Sequence, residues 1–181
     1  MMLKNKQVQF LCLFLALISL TGIKLYENYF PTLFTDWNNK NLSRINLSDP
    51  YNFSFAIFGD NQFSILNFEE ILNLIELDPE ISFVISLGDM VHSGNRRSYS
   101  FFLNLVQRRL HKPLITVIGN HEIKGKGYPL YKKIFGPSYY SFEIGNTCFF
   151  ILDDAQRKIN LQQKEWLKKE LKLKHILVKF V

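Results

Sequence analysis

The chain has 181 residues, room for one domain, and a formal net charge of +6 at pH 7. Its excess of cations is local: Arg157, Lys158, Lys164, Lys168, Lys169, Lys172 and Lys174 crowd one late segment against Glu165 and Glu170. With no Gly-rich phosphate loop, aromatic stacking repeat or internal repeat beside them, nucleic acid is not an expected partner. Cys12 in an apolar leader and Cys148 in a strand-like run are poor disulfide partners, so no covalent staple is expected and Cys148 reads as a small core residue.

In chain order, Lys4 and Lys6 precede an apolar run from Val8 to Ile23 broken only by Gln9, Ser19, Thr21 and Gly22. A basic start followed by an apolar stretch marks residues 1–25 as a signal anchor or a signal peptide. Leu25 and Tyr26 extend the run toward the roughly 20 residues a bilayer requires. The expected partner of this segment is a membrane, with the domain anchored outside the cytoplasm, or exported if the leader is cleaved. Residues 26–50, polar and Asn-rich up to Ser48-Asp49-Pro50, read as a tether. Residues 51–181 are left as the folded domain.

There the pattern alternates. A strand is predicted at Phe53 to Phe58, then a helix over Asn67 to Leu77, where Phe68, Ile71, Leu72 and Ile75 recur at helical spacing and Asp78-Pro79 stops it. A strand at Phe83 to Leu87, a helix over Ser98 to Leu110 and a strand at Leu114 to Ile118 follow, the signature of a parallel α/β sheet with right-handed crossovers. A short helix at Pro129 to Phe135 breaks at Gly136-Pro137. Strands at Tyr139 to Ile144 and Thr147 to Leu152, joined by Gly145-Asn146, predict a hairpin. Along a helix from Leu161 to Leu173, Leu161, Trp166, Leu167 and Leu171 form the expected buried stripe while the lysines face water. Ile176 to Val181 is a sixth strand-like run.

Three runs begin where predicted strands end: Gly59-Asp60-Asn61-Gln62, Gly88-Asp89-Met90-Val91-His92 and Gly119-Asn120-His121-Glu122. Parallel strands deliver their carboxyl ends to one edge of an open α/β sheet, where ligands bind. Taken singly, Asp60, Asp89 and Asn120 are as readily helix caps. Together with Gln62 and His121 they make a convergent set of oxygen and nitrogen donors suited to divalent metal. His92 lies three residues past Asp89, where it contacts substrate or metal or serves as a plain loop residue. Arg96, with Arg97, opens the next helix, facing either an anionic substrate or solvent. Two cations about 3.5 to 4 Å apart clamp a phosphoryl oxygen and lower the pKa of a bound water.

These runs, in this order and spacing, resemble those of the calcineurin-like metallophosphoesterases. Tyr139-Tyr140-Ser141-Phe142, Phe150-Ile151-Leu152-Asp153, and Gln163 with Trp166-Leu167 look like later landmarks of the same family. The resemblance implies a four-layer α/β/β/α sandwich, incomplete at its C-terminus, and a hydrolase of phosphoric esters with two divalent ions. It makes Asp60 and Gln62 ligands of the first ion, Asp89 the bridge, Asn120 a ligand of the second, and His121 the group that contacts the phosphate or protonates the leaving group. The family more often carries His where this chain has Gln62, and an amide oxygen tilts the expectation to Mn, Mg or Fe over Zn. The family also closes its site with a His after the sixth strand and a Gly-His-x-His run after the seventh, whereas this sequence stops at Val181. Two further expectations therefore stand beside the hydrolase: a truncated, inactive remnant of such an enzyme, and a membrane-tethered interaction module acting through its basic helix.

Overall fold

The computed structural model describes residues 12–25, 34–62, 64–173 and 178–180. Residues 12–25 form helix α1, its side chains exposed throughout. No helix among the described residues is long and apolar enough to cross a membrane. The leader expected over residues 1–25 falls partly outside the described residues.

Strands β1 (Ser54–Phe58), β2 (Ile81–Ser86) and β3 (Leu114–Thr116) form a parallel sheet in that order, with helices α3 (Ile65–Leu77) and α4 (Arg96–Arg109) as its crossovers, and the short helix α5 (Gly127–Phe135) follows β3. The alternation of side chains along β2 sets the layers. Val84 points to the helices, packing with Leu72, Leu103 and Leu114. Phe83 and Ile85 point the other way and meet Phe142, Ile144 and Phe149 of a second sheet. That sheet is the expected hairpin, β4 (Tyr140–Ile144) with β5 (Thr147–Ile151), extended by β6 (Val178–Phe180) parallel to β5. Its inner face is aromatic: Phe142 and Phe149 stack at 4.7 Å, and Phe149 meets Phe55 and Phe83 edge-on. Cys148 is fully buried. Helix α6 (Leu161–Leu173) closes the outer side through Trp166 against Tyr139 and Ser141 against Glu170. Helices, sheet, sheet, helix are the four layers.

The stripe expected on α6 differs at its start. Leu161 is 73% exposed, and the buried residue there is Gln163, whose amide accepts from Asp153 N at 2.7 Å and donates to Asp153 O at 2.9 Å. The helix is docked by a backbone clasp at its first turn, and Lys164, Lys168, Lys169 and Lys172 face solvent.

Within the stretch read as a tether, residues 34–47 are held against the domain. Helix α2 (Trp37–Leu42) lies along the outer edge of β3, with Phe34, Asn38 and Asn41 buried. Its side chains occupy hydrogen-bonding positions that a fourth strand would fill. Asn38 accepts from Thr116 N at 2.8 Å and donates to Thr116 O, Asn41 accepts from Leu114 N, and Trp37 Nε1 donates to Leu114 O. The asparagines that made the segment look solvated instead saturate an edge strand, which would otherwise be open to pairing with another chain. Leu42, Ile45 and Leu47 continue onto the inter-sheet core.

Candidate metal centre

Asp60, Asp89 and Asn120, each just past the end of a strand, line one cavity of about 310 Å³ at the carboxyl edge of the parallel sheet. Gly88 and Gly119 make the convergence possible. Gly88 has φ +92°, and a Cβ there would lie 2.7 Å from Gly119 N, so the two loops meet backbone against backbone. The loops are then stitched: Leu87 N donates to Phe58 O at 2.7 Å, and Asp60 N donates to Gly88 O at 3.2 Å. Asp60 and Asp89 both take left-handed backbone conformations, φ 56° and 51°. Such positions cost free energy and cluster where a side chain must be aimed.

Glu122, the last residue of the third run, organises the site from below. It is fully buried. Its Oε2 accepts from Asp89 N at 2.7 Å and Gly119 N at 2.8 Å, while Oε1 accepts from Met90 N at 2.8 Å and Val91 N at 3.2 Å. One carboxylate thus fixes two site loops through four backbone donors. Burial pushes its carboxyl above the usual range, the donors from Asp89, Gly119 and Val91 oppose that rise, and the nearby Asp89 carboxylate adds to it. Tyr99, whose hydroxyl reaches Glu122 O, is held neutral far above its ordinary range, first by burial and then by Glu122.

His121 lies beside this cavity rather than in its lining. Its backbone N donates to Asp89 Oδ1 at 2.9 Å, and its ring turns to His92, with Nδ1 2.9 Å from His92 O. Lys124 Nζ lies 2.9 Å from Nδ1 and 3.0 Å from Nε2; with the Nδ1 proton given to His92 O, Nε2 is the nitrogen free to accept from the lysine. His92 is exposed, its ring 5.7 Å from that of His121. Arg96 is exposed at the first position of α4 and lines neither this cavity nor the neighbouring cleft; Arg97 lines the cleft. Two lining residues had no signal in the three runs: Asp154 and Arg157, from the loop after β5. The strand-end position of Leu152-Asp153 pointed to that loop, but Asp153 itself caps Ala155 N, and its neighbour faces the cavity.

The donor set suits a hard divalent cation. Asp60, Asp89 and Asn120 offer carboxylate and amide oxygens in one cavity, with Asp154 as a further carboxylate. Among the described residues no three His, Cys, Asp or Glu side chains form a ready-made cluster, so the Asn120 amide is needed. Gln62 is placed differently: its Nε2 donates to Asp60 Oδ1 at 2.7 Å, and its Oε1 is buried with no partner among the described residues. A ligand role for Gln62 requires the amide turned over, exchanging that hydrogen bond for an oxygen facing the cation.

The family model for the calcineurin-like phosphoesterases matches residues 53–178. A probable cyclic nucleotide phosphodiesterase of Fibrobacter succinogenes is 25% identical over 95 residues, which are 50% of this chain and 37% of that protein. The chain thus spans little more than a third of that relative's length. Vacuolar protein sorting 29 from Cryptosporidium parvum is similar at a TM-score of 0.37 and 16% identity, over 64% of this chain and 58% of that one, a likeness too slight to bear on the site. The match over residues 53–178 takes in all three strand-end runs, and the chain belongs to the calcineurin-like phosphoesterase family.

Proposed function

We propose that the chain hydrolyses phosphoric esters with the help of two divalent cations, held by Asp60, Asp89 and Asn120, with Gln62 joining once its amide is turned. The observation that carries this reading is the shared cavity of Asp60, Asp89 and Asn120, held together by Glu122. The cations, when bound, supply positive charge to the phosphoryl oxygens and acidify a water. The remaining work falls to the chain. Asp89 has one carboxylate oxygen engaged by His121 N, which fixes the aim of the other. Arg157, on the cavity wall, offers a fork of donors to phosphoryl oxygens. As water adds to phosphorus and the bond to the organic oxygen breaks, the departing alkoxide needs a proton. Once Lys124 swings away, His121 Nε2 takes up a proton from solvent, and the imidazolium, anchored through Nδ1–H on His92 O, delivers that proton to the departing oxygen. The oxygen-rich donor set favours Mn, Mg or Fe over Zn.

The test is hydrolysis of 4-nitrophenyl phosphate and bis(4-nitrophenyl) phosphate by metal-stripped protein resupplied with Mn, Mg, Fe or Zn. Turnover that needs metal and vanishes in Asp89→Ala is expected. No turnover with any of the metals, or turnover that survives Asp89→Ala, refutes the reading. The basic start and apolar run of residues 1–25 support placing this site on a membrane or in an exported protein. Recovery of the full chain in the soluble cytoplasmic fraction would count against it.

A further inference from the structure

Beside the metal cavity, between α3 and α4, lies a second cleft of about 280 Å³, near the lower bound of about 300 Å³ usual for small-molecule sites. We propose that it receives the organic part of the phosphoester, and that this part is an aromatic ring system. The inference rests on the phosphoesterase reading and names the substrate class that reading leaves open.

Three observations point this way. The cleft adjoins the phosphoryl site through Gln62, which lines the cleft while its Nε2 reaches Asp60 of the metal cavity. An ester with its phosphoryl group on Asp60, Asp89 and Asn120 therefore has this cleft as its neighbour. One wall is apolar, with Ile65, Phe68, Val91, Phe101, Phe102 and Leu105, and His92, Arg97 and Ser98 line the rest. Phe68 and Phe102 stack nearly parallel, with rings 5.8 Å apart. Phe101 is 50% exposed and Ile65 48% exposed, so apolar surface stays open to water at the mouth, where an aromatic guest would cover it. The third observation is polar. Among the described residues Asn61 Oδ1 is buried without a hydrogen-bond partner, and Asn61 lines the cleft. Buried acceptors in a native fold find donors, and a ring bearing a hydroxyl, amine or N–H supplies one. Arg97 adds a cation to the cleft, at the second position of a helix with no acidic residue in its first turn. The helix dipole disfavours cations there, a cost an anionic ester offsets.

The experiment uses the full chain with manganese and reads binding and turnover separately. Calorimetry compares phenylphosphonate with methylphosphonate, which share the anionic group and differ in the ring. Wild type is expected to bind phenylphosphonate at least about tenfold more tightly, the scale of hydrophobic pocket discrimination. Ile65→Trp fills the mouth from a half-exposed position and is expected to erase the preference. It should also raise KM for phenyl phosphate about tenfold more than KM for methyl phosphate, with an unchanged melting temperature as the folding control. Phe101→Ala, which removes a wall, should reduce the preference in the same direction. Equal affinities for the two phosphonates, or a preference intact in folded Ile65→Trp, overturn the cleft assignment while metal-dependent turnover leaves the phosphoesterase reading standing. Binding of phenylphosphonate with no turnover of either ester, whichever metal is supplied, overturns the phosphoesterase reading and with it the place of the cleft as a substrate site.

Discussion

Removing the Glu122 carboxylate should loosen two site loops at once, and the size of the loss can be worked from its contacts. In Glu122→Ala the N–H groups of Asp89, Met90, Val91 and Gly119 lose their acceptor together. A hydrogen bond to a charged group contributes about 1.5–3 kcal/mol, so the gross loss approaches ~10 kcal/mol. Against this stands the cost of burying the carboxylate, visible in its raised pKa, which the variant no longer bears. The net resembles the breaking of a buried charged network, about 3–5 kcal/mol. For a chain of this size that lowers the melting temperature by roughly 10–15 °C. Glu122→Gln separates geometry from bulk. Each carboxylate oxygen serves one pair of donors, so an amide satisfies one pair and turns its own NH₂ on the other, for about half the loss. Thermal melts by circular dichroism give both numbers. Calorimetry with manganese gives a third, because outer supports of a metal site typically carry 10 to 100-fold in affinity. A Glu122→Ala protein that melts within about 2 °C of wild type and binds manganese equally well would refute the brace.

Asp89→Asn should separate chemistry from folding: the amide oxygen still accepts from His121 N and Asn tolerates the left-handed backbone, so melting should shift by under about 3 °C while metal-dependent turnover is lost. Gly94→Ala places a Cβ on the carbonyl of Glu122 and 2.6 Å from Gly127 Cα; backbone cannot yield cheaply, and a loss of about 2–3 kcal/mol in urea unfolding is expected. Asn38→Leu keeps the size but removes all three bonds to Thr116, which should cost about 2–3 kcal/mol and, by light scattering, promote association through the bared β3 edge. A chain beginning at residue 51 loses α2 altogether and should aggregate where one beginning at residue 34 stays soluble; a sharp monomer peak from the shorter chain would contradict the edge-covering role.

The elements that sequence made legible are those whose pattern is carried by side-chain type. Alternating apolar strands and the helical spacing of Phe68, Leu72 and Ile75 need no tertiary context, and β1 to β3, α3 and α4 lie within a few residues of where these patterns put them. Asp60, Asp89 and Asn120 were legible for the same reason: topology alone brings the ends of parallel strands to one edge. What stayed hidden depends on the backbone. Glu122 acts on N–H groups that every non-proline residue carries, so nothing in the identity of Met90 or Val91 announces its partner. The same holds for Asn38 and Asn41, whose amides pair with the backbone of β3 seventy-odd positions away. Polar residues in a stretch without periodicity look solvated until a strand edge is known to need them. Gln62 is a third case, and the most consequential. Its spacing from Asp60 places it at the site, but which end of the amide faces the carboxylate is decided by what else is present. In the structure the nitrogen serves Asp60, whereas the metal role proposed for Gln62 puts its oxygen there. On that proposal metal binding and amide orientation are coupled, and because Gln62 also lines the cleft, turning its amide would change what both pockets present.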